Sequence, residues 1–570
     1  MPDLQVADDT IALERTAQKQ ERNSDLGRLV RINAWNATSA SDFARLKKPG
    51  SKSVLMVAPT STHEVGMTKW LSVNLGIERL AASLRCGGHY VETYDVNLYK
   101  CMKTGQGTDA LTLEEKFNQR DWDVIGFSVY EATMVNDFAH MNLAKKTRPS
   151  ALIVAGGHAA QFNYQTILDK SPARIVVLGE GEKPMAQLLS GTPLEEVQGI
   201  VIRNSNIPLS GEEFRQATEQ IDYESMPYEQ YWDYYIQLYN ESKLEITPEI
   251  SQQIHTIRIY TRNYCPLNCK FCSSTNWLTF AAGTKVRIAD LSGRPLVDLV
   301  KRIVRAHPRA ETIYFTDDEF CIIRDKLLEF LHGAIEEKLG VTFICFTRID
   351  DLDEEVISLM AQAGFRTLNI GIESFQQEIL REYHKNITVE QIDRTLKLLN
   401  KYGIRPSCSF ILTSPEAKLD WVENVARRIR KELDNESIYA GVNIATEPQA
   451  GSGFFEEYTE FETERIANPG TNMFLKRYHF VKATDPETRE FQYRFLYRWA
   501  TYIDTVLSKQ NGHWNSQVQT ELKIDLAIKV IDEIKSERGK PDRFRYTQMS
   551  QPEKAKLWAI LSRYSYGASL

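Results

Sequence analysis

Three cysteines stand within one short stretch, CPLNCKFC, at Cys265, Cys269 and Cys272. Thiolates take soft or borderline metals, which narrows the ligand to zinc, copper(I) or an iron–sulfur cluster. Structural zinc normally has four protein ligands, yet the nearest upstream histidine is His255 and none follows closely. A disulfide scheme leaves one thiol over. A four-iron cluster held by three thiolates keeps one iron open, and an open metal position is where chemistry happens. The other cysteines, Cys86, Cys101, Cys321, Cys345 and Cys408, are scattered along the chain. They read as small buried hydrophobes.

Two alternating regions have to position such a loop. In the first, SVLMVAP opens a run of short apolar stretches that continues through HYVETYDV, DVIGFSVY, ALIVAGG and RIVVLGE. Helix-like segments separate them; in LGIERLAASL, Leu75, Ile77, Leu80, Ala81 and Leu84 share a face. Buried strands alternating with helices predict a parallel, doubly wound sheet. Ligands of such sheets bind beyond the C-terminal strand ends, which here are rich in Gly and small polar residues. The second region starts at TIRIYTRN and runs through TIYFTDD, VTFICFTR, TLNIGIES, SCSFIL and YAGVNIATE. Six such units predict a partial (β/α)6 barrel, whose active site sits at the C-terminal rim. The three cysteines follow its first strand, at that rim.

The expected organisation is an extension over 1–50, a doubly wound domain over 51–195 and an aromatic-rich linker over 196–252. The barrel follows over 253–452 and a helical domain over 453–570. The chain has 570 residues and a net charge of −7, against a general nucleic-acid binder, which shows a basic face. The N-terminus lacks the apolar core of a signal peptide, and no run approaches the 18 or so apolar residues of a membrane span. A cytoplasmic setting is expected.

CxxxCxxC with an aromatic, Phe271, before its last cysteine resembles the radical S-adenosylmethionine superfamily. The resemblance implies a 4Fe-4S cluster on Cys265, Cys269 and Cys272, with S-adenosylmethionine (SAM) on the open iron. It implies SAM contacts from Phe271, from Thr316 and Asp317 in TDDEF, from Arg348, and from Glu373 and Ser374 at the ribose. Competing readings are a solvated cap for the aspartates and an ion pair with Asp350 or Asp351 for Arg348. A doubly wound domain ahead of such a barrel is similar to the cobalamin-dependent members of that family, on LGIERLAASLRCGGHYVETYD, IGFSVYEA, IVAGGHAAQF and VVLGEGEKPMAQLL. Cobalamin contacts are then implied from Ser61, Thr62, His63, Glu64, Ser128, Tyr130, Glu131, Gly156, Gly157, His158, Gly179, Glu180, Gly181 and Glu182. STHEVG is similar to the DxHxxG of mutase-type cobalamin-binding domains at His63 and Gly66, with Ser61 in place of the aspartate; many members of the radical subfamily bind cobalamin without a histidine, and cobalt ligand and plain loop histidine both stay open. FILTSPEAKLDW departs from the Gly-rich turn that often follows the fifth strand.

The resemblance implies an enzyme that methylates an unactivated carbon of a small molecule through the cluster, SAM and methylcobalamin. It would be driven by an external low-potential donor of flavodoxin or ferredoxin type. Radical cyclisation or ring rearrangement with the same cofactors is the alternative. A non-catalytic cluster or cobalamin sensor and a zinc-stabilised interaction protein are the competing classes. Tyr493, Phe495 and Tyr497 are either pocket lining or helix packing. Arg494 and Arg498 share another face of that helix, expected to be solvated, with a carboxylate or phosphate contact as the alternative.

Overall fold

The computed structural model describes residues 46, 48–59, 72–99, 111–130, 133–201, 206–241, 243, 245–446, 451–457, 465–467, 474–476, 480–505, 516–540, 550 and 552. The chain forms two compact units. Residues 1–62, 76–213 and 277–287 make the first, and residues 63–75, 214–276 and 288–570 the second.

In the first unit the expected strands are β1 (Ser53–Val57), β2 (Tyr90–Tyr94), β3 (Val124–Ser128), β4 (Leu152–Gly156) and β5 (Ile175–Val176). All pair parallel in the order β2-β1-β3-β4-β5. The order reverses between β1 and β3, which sets the ligand crevice of such sheets at that point. β1, β3 and β4 are almost wholly buried, which is why they read as continuous apolar runs. Helices α1 (Leu75–Cys86), α2 (Leu113–Asn118), α3 (Met134–Thr147), α4 (His158–Lys170) and α5 (Glu182–Leu189) follow their strands. Thr112 and Glu115 start α2 with a reciprocal capping box. Ile77, Ala81 and Leu84 of α1 enter the core with Val54, Val124 and Val154. Leu80 is only partly buried, and Arg79 is buried instead. Cys86 is exposed at the end of α1, against its reading as a buried hydrophobe, whereas Cys321, Cys345 and Cys408 are buried. Cys101 and residues 1–45 lie outside the described residues.

The stretch 196–252 carries helices α6 (Gly211–Glu219), α7 (Tyr228–Glu241) and α8 (Pro248–Ile254). The division between units falls within it, after Glu213. α7 buries Tyr228, Tyr231, Trp232, Tyr234 and Tyr235. Tyr228 meets His307 edge-on at 5.2 Å and Trp232 meets His255 at 5.3 Å, both in the second unit.

The second unit holds β6 (Thr256–Ile259), β7 (Thr312–Phe315), β8 (Thr342–Thr347), β9 (Phe365–Glu373), β10 (Ser407–Thr413) and β11 (Tyr439–Ala445). They form one parallel sheet in sequential order, the partial barrel that the alternation predicts. Helices α9 (Ser274–Ala282), α10 (Arg294–Ala306), α11 (Arg324–Glu337), α12 (Glu354–Ala363), α13 (Gln377–Glu382), α14 (Val389–Lys401) and α15 (Leu419–Asp434) lie between the strands in sequence. One sheet face is sealed by a phenylalanine cluster. Phe315 stacks on Phe320 at 4.3 Å and on Phe343 at 5.8 Å, with Phe330 edge-on at 5.4 Å. The other face is more open and polar, with Arg258, Tyr314, Asn369, Ser409 and Asn443 at alternate positions.

Beyond β11 come a short helix α16 (Gly453–Glu457), two short strands β12 (Arg465–Ala467) and β13 (Phe474–Lys476), and helices α17 (Pro486–Thr505) and α18 (Ser516–Ser536). The antiparallel β12–β13 pair is absent from the helical expectation for this region. α18 docks on β11, where the Thr520 hydroxyl donates to the Ala440 carbonyl at 2.7 Å. No helix among the described residues is long and apolar enough to cross a membrane.

Candidate functional site

The cysteine loop begins where β6 ends, and a buried carboxylate fixes that end. Asp317 Oδ1 accepts the backbone N–H groups of Thr261 at 2.7 Å and Arg262 at 2.6 Å, and Oδ2 accepts the Thr261 hydroxyl at 2.7 Å. Asn263 adds a reciprocal pair with Ala289, at 3.1 and 2.9 Å. Further along, Lys270 N–H donates to the Tyr383 carbonyl at 3.0 Å, and its own carbonyl accepts Phe454 N–H at 2.9 Å. Phe271 rests edge-on against Tyr383 at 5.2 Å. The loop backbone is thus held from both sides, as buried polar groups require.

All three thiols are free, with Cys269 buried and Cys265 and Cys272 half-buried. Burial pushes the Cys265 thiol up to about 12, and Asp318, Glu319 and Cys272 add to the rise. Burial likewise raises Cys272. Ionising thiols so placed needs a cationic centre, and a metal-bound thiol is deprotonated outright. Two donors already face the sulfurs. Arg348 Nη1 lies 3.6 Å from Cys269 Sγ, and Ser274 N–H lies 3.5 Å from Cys272 Sγ. Hydrogen bonds to sulfur are one of the protein's controls over an iron–sulfur centre. Among the described residues no three His, Cys, Asp or Glu side chains converge to hold a single metal ion. The donor chemistry of the loop fits an iron–sulfur cluster.

The residues implied for SAM divide. Thr316 sits at the end of β7, with its N–H on the Ile259 carbonyl at 2.8 Å. Asp317 is neither a solvated cap nor a free ligand: it is buried and both oxygens serve the β6 end. Arg348 makes the ion pair, with Nε on Asp350 Oδ1 at 2.8 Å and Nη2 on Oδ2 at 3.0 Å, and also donates to the Lys385 carbonyl. Most of its donors are thus engaged within the chain, as the ion-pair reading of this residue expects. Ser374 is buried, with its hydroxyl accepting Gln376 N–H at 3.1 Å. Glu373 stands at φ 65°, in the left-handed region, and its Oε1 takes the Lys385 ammonium at 3.1 Å. A cavity of about 350 Å³ opens beside the loop, lined by Leu267, Asn268, Arg348, His384 and Asn386.

In the first unit, Ser128 ends β3 with Tyr130 two residues on, Gly156 ends β4, Gly157 caps α4 and His158 is its first residue. Gly157 has φ 96°, and a Cβ there would stand 2.9 Å from Ser128 Oγ. Gly179 has φ 70°, and a Cβ would meet Ala281 Cβ and Asn206 Nδ2, both at 2.9 Å. Gly157 thus lets the β3 and β4 ends approach closely, and Gly179 does the same for the loop after β5 against Ala281 and Asn206. Glu180 and Glu182 do another job from the one expected. Both are buried against Arg79 of α1, at 3.2 and 2.6 Å, and Glu180 also accepts Leu209 N–H at 2.8 Å. Two carboxylates share the one Arg79 guanidinium, and the cluster is spent on packing α1 to the β5 loop. Gly181 precedes α5 as its N-cap. Ser61, Thr62, His63, Glu64 and Glu131 lie outside the described residues.

Sequence reasoning passed over several residues that build these surroundings. Buried Gln161 accepts Gly179 N–H at 3.1 Å and donates to the Trp277 carbonyl, and buried Asn206 donates to Glu180 O at 3.0 Å. Tyr383 is fully buried, with its hydroxyl 3.0 Å from that of Thr446. Lys385 escaped notice because a lysine reads as surface. In α17, Tyr493 and Phe495 are buried while Tyr497 is 41% exposed, so the two tyrosines do not share a packing face. Arg494 is buried among Glu490, Glu533 and Glu537, and Arg498 pairs with Glu533. That network corrects the expectation of a solvated face.

Two family models match the chain: the B12 binding domain over residues 71–189 and the Radical SAM superfamily over residues 259–429. The chain is 25% identical over 419 residues to an uncharacterized methyltransferase of Pyrococcus horikoshii, covering 71% of this chain and 82% of that protein. It is 25% identical over 375 residues to the anaerobic magnesium-protoporphyrin IX monomethyl ester cyclase of Rubrivivax gelatinosus, spanning 63% of each. Its fold is similar to that of the radical S-adenosylmethionine methyltransferase TsrM of Kitasatospora setae, solved with cobalamin and a [4Fe-4S] cluster. The TM-score is 0.55 at 17% identity, over 72% of this chain and 78% of that one.

Proposed function

The chain joins a B12-binding domain to a radical SAM domain, and from that premise we propose that it is a cytoplasmic C-methyltransferase acting on an unactivated carbon of a small molecule. The observation that carries this reading is a three-thiol loop at the rim of a six-stranded parallel barrel, in one chain with a β2-β1-β3-β4-β5 sheet crested by glycines. When bound, the cluster supplies one electron to SAM and cobalamin supplies a transferable methyl group, since cofactors carry the hard chemistry. The chain's own residues bind and orient. Cys265, Cys269 and Cys272 hold the cluster, with Arg348 and Ser274 donating toward two of the sulfurs. Phe271, Thr316, Glu373 and Ser374 line the SAM side. Ser128, Tyr130, Gly156, Gly157, His158, Gly179 and Gly181 line the cobalamin side. The electron comes from a flavodoxin- or ferredoxin-type donor.

The name of the Pyrococcus relative supports methyl transfer. The name of the Rubrivivax relative supports the second reading, a radical ring closure with the same cofactors. One experiment separates them. The protein, purified without oxygen and supplied with cobalamin, a reductant and ¹³C-methyl SAM, is incubated with a small-molecule extract of its source cells. Methyl transfer to carbon yields S-adenosylhomocysteine and 5′-deoxyadenosine together, with ¹³C in a new C–CH3 group. 5′-Deoxyadenosine without S-adenosylhomocysteine or label transfer sinks the methyltransferase reading in favour of ring closure.

A further inference from the structure

The segment that follows α13 holds three parts of the barrel rim at once. The Tyr383 carbonyl receives Lys270 of the cysteine loop, the Lys385 carbonyl receives Arg348, and the Lys385 ammonium receives Glu373. Lys385 and Glu373 are 4% and 6% exposed, so theirs is a buried ion pair at the end of β9. Such pairs are weak devices for stability, because desolvation cancels much of the attraction. Three backbones around the pair, at Glu373, His384 and Asn386, are left-handed at φ 65°, 52° and 55°. Left-handed non-glycine residues persist where surroundings over-determine them, and they cluster at functional sites. Gly371 makes room for the pair: a Cβ there would stand 2.4 Å from Glu373 Oε1 and 2.8 Å from Lys385 Nζ. The ammonium occupies Oε1, and Oε2 has no partner among the described residues.

We infer that Lys385 is a positioning residue for SAM. Its ammonium fixes Glu373 in the strained conformation that presents Oε2 to the ribose hydroxyls. The inference rests on the radical SAM reading of this unit and on Glu373 as the ribose contact. Because Lys385 also receives Arg348, the same segment holds the ribose carboxylate in register with the Cys269 sulfur.

The test is SAM affinity by equilibrium dialysis on cluster-reconstituted protein, for the wild type, Glu373→Gln, Lys385→Met and the double variant. Iron and sulfide content and the circular dichroism of the cluster-free chain are read in parallel. Each single variant is expected to raise Kd about tenfold with iron content unchanged, the scale of one hydrogen bond to a charged group. The double variant should be little worse than either, because both remove one device. Gly371→Ala, which keeps both charges, should raise Kd similarly and stands in if Lys385→Met does not fold. Wild-type affinity in Lys385→Met and Gly371→Ala, or effects of Glu373→Gln and Lys385→Met that simply multiply, overturn the inference. If Glu373→Gln alone binds SAM normally, the ribose assignment fails and Lys385 with it, while the cluster stands. If the wild type holds no cluster or binds no SAM, the reading beneath both has failed.

Discussion

Cys269 stands closest to a protein cation, and its loss should be the most telling single change at the loop. Cys269→Ala is expected to abolish the cluster's visible absorption and 5′-deoxyadenosine formation; retained formation would remove the cluster assignment. Asp317→Ala attacks the same loop from behind, by freeing two N–H groups and a hydroxyl at the β6 end. Leaving buried donors unpaired costs about 1–3 kcal/mol each, so iron content after reconstitution should fall although no ligand has changed. Lys523 is the residue whose charge should show in a pH profile. Its ammonium lies 5.5 Å from the Trp499 ring centre, and burial lowers it to about 8. A folded value below the unfolded 10.5 means that the folded state binds fewer protons between those limits. Stability therefore falls as pH drops through that window, and the loss is complete below about 8. Lys523→Met should then stabilise the protein at pH 7 by on the order of 2–3 kcal/mol, less whatever the ring returns to the cation. The gain in urea midpoint should shrink toward pH 10. The cysteines were legible because their spacing is local. Lys385, Gln161 and Asn206 were not, because each is an ordinary polar residue whose partner lies far along the chain.

At the scale of elements, the strands and their order were legible because burial on both faces leaves an apolar run that no loop shows. The polar rim between them was not. Its residues can be assigned a contact by resemblance, yet Asp317, Glu180 and Glu182 turn out to hold elements together rather than await a ligand. Gly157 joins β3 to β4 at the sheet crest, and Gly157→Ala adds a methyl 2.9 Å from Ser128 Oγ at a left-handed φ. Cobalamin content after purification should drop several-fold in this variant, while iron content is unchanged. Phe315 plays the corresponding part beneath the barrel. Phe315→Ala should cost about 3–5 kcal/mol in chemical denaturation, the usual range for a fully buried phenylalanine.

At the scale of the molecule, the chain's crossings between its two units include those after residues 213, 276 and 287. The segment 277–287 carries the carbonyls that Gln161 and Asn206 use, those of Trp277 and Ala281. A chain shortened to end at Glu213 should therefore unfold at lower denaturant than the first unit does in the full protein, because buried polar groups lose their partners. This threading also has a consequence for the order of synthesis. Ribosomes add about 5–20 residues per second, and domains generally fold as they emerge. Here the first unit cannot close when Glu213 has been made. It must wait for residue 287, roughly 4–15 s later at those rates. By then Cys265, Cys269 and Cys272 have already been translated. The nascent chain thus carries the three cysteines of its radical SAM domain out of the ribosome before its B12-binding domain is finished, so the two domains mature over the same interval of translation.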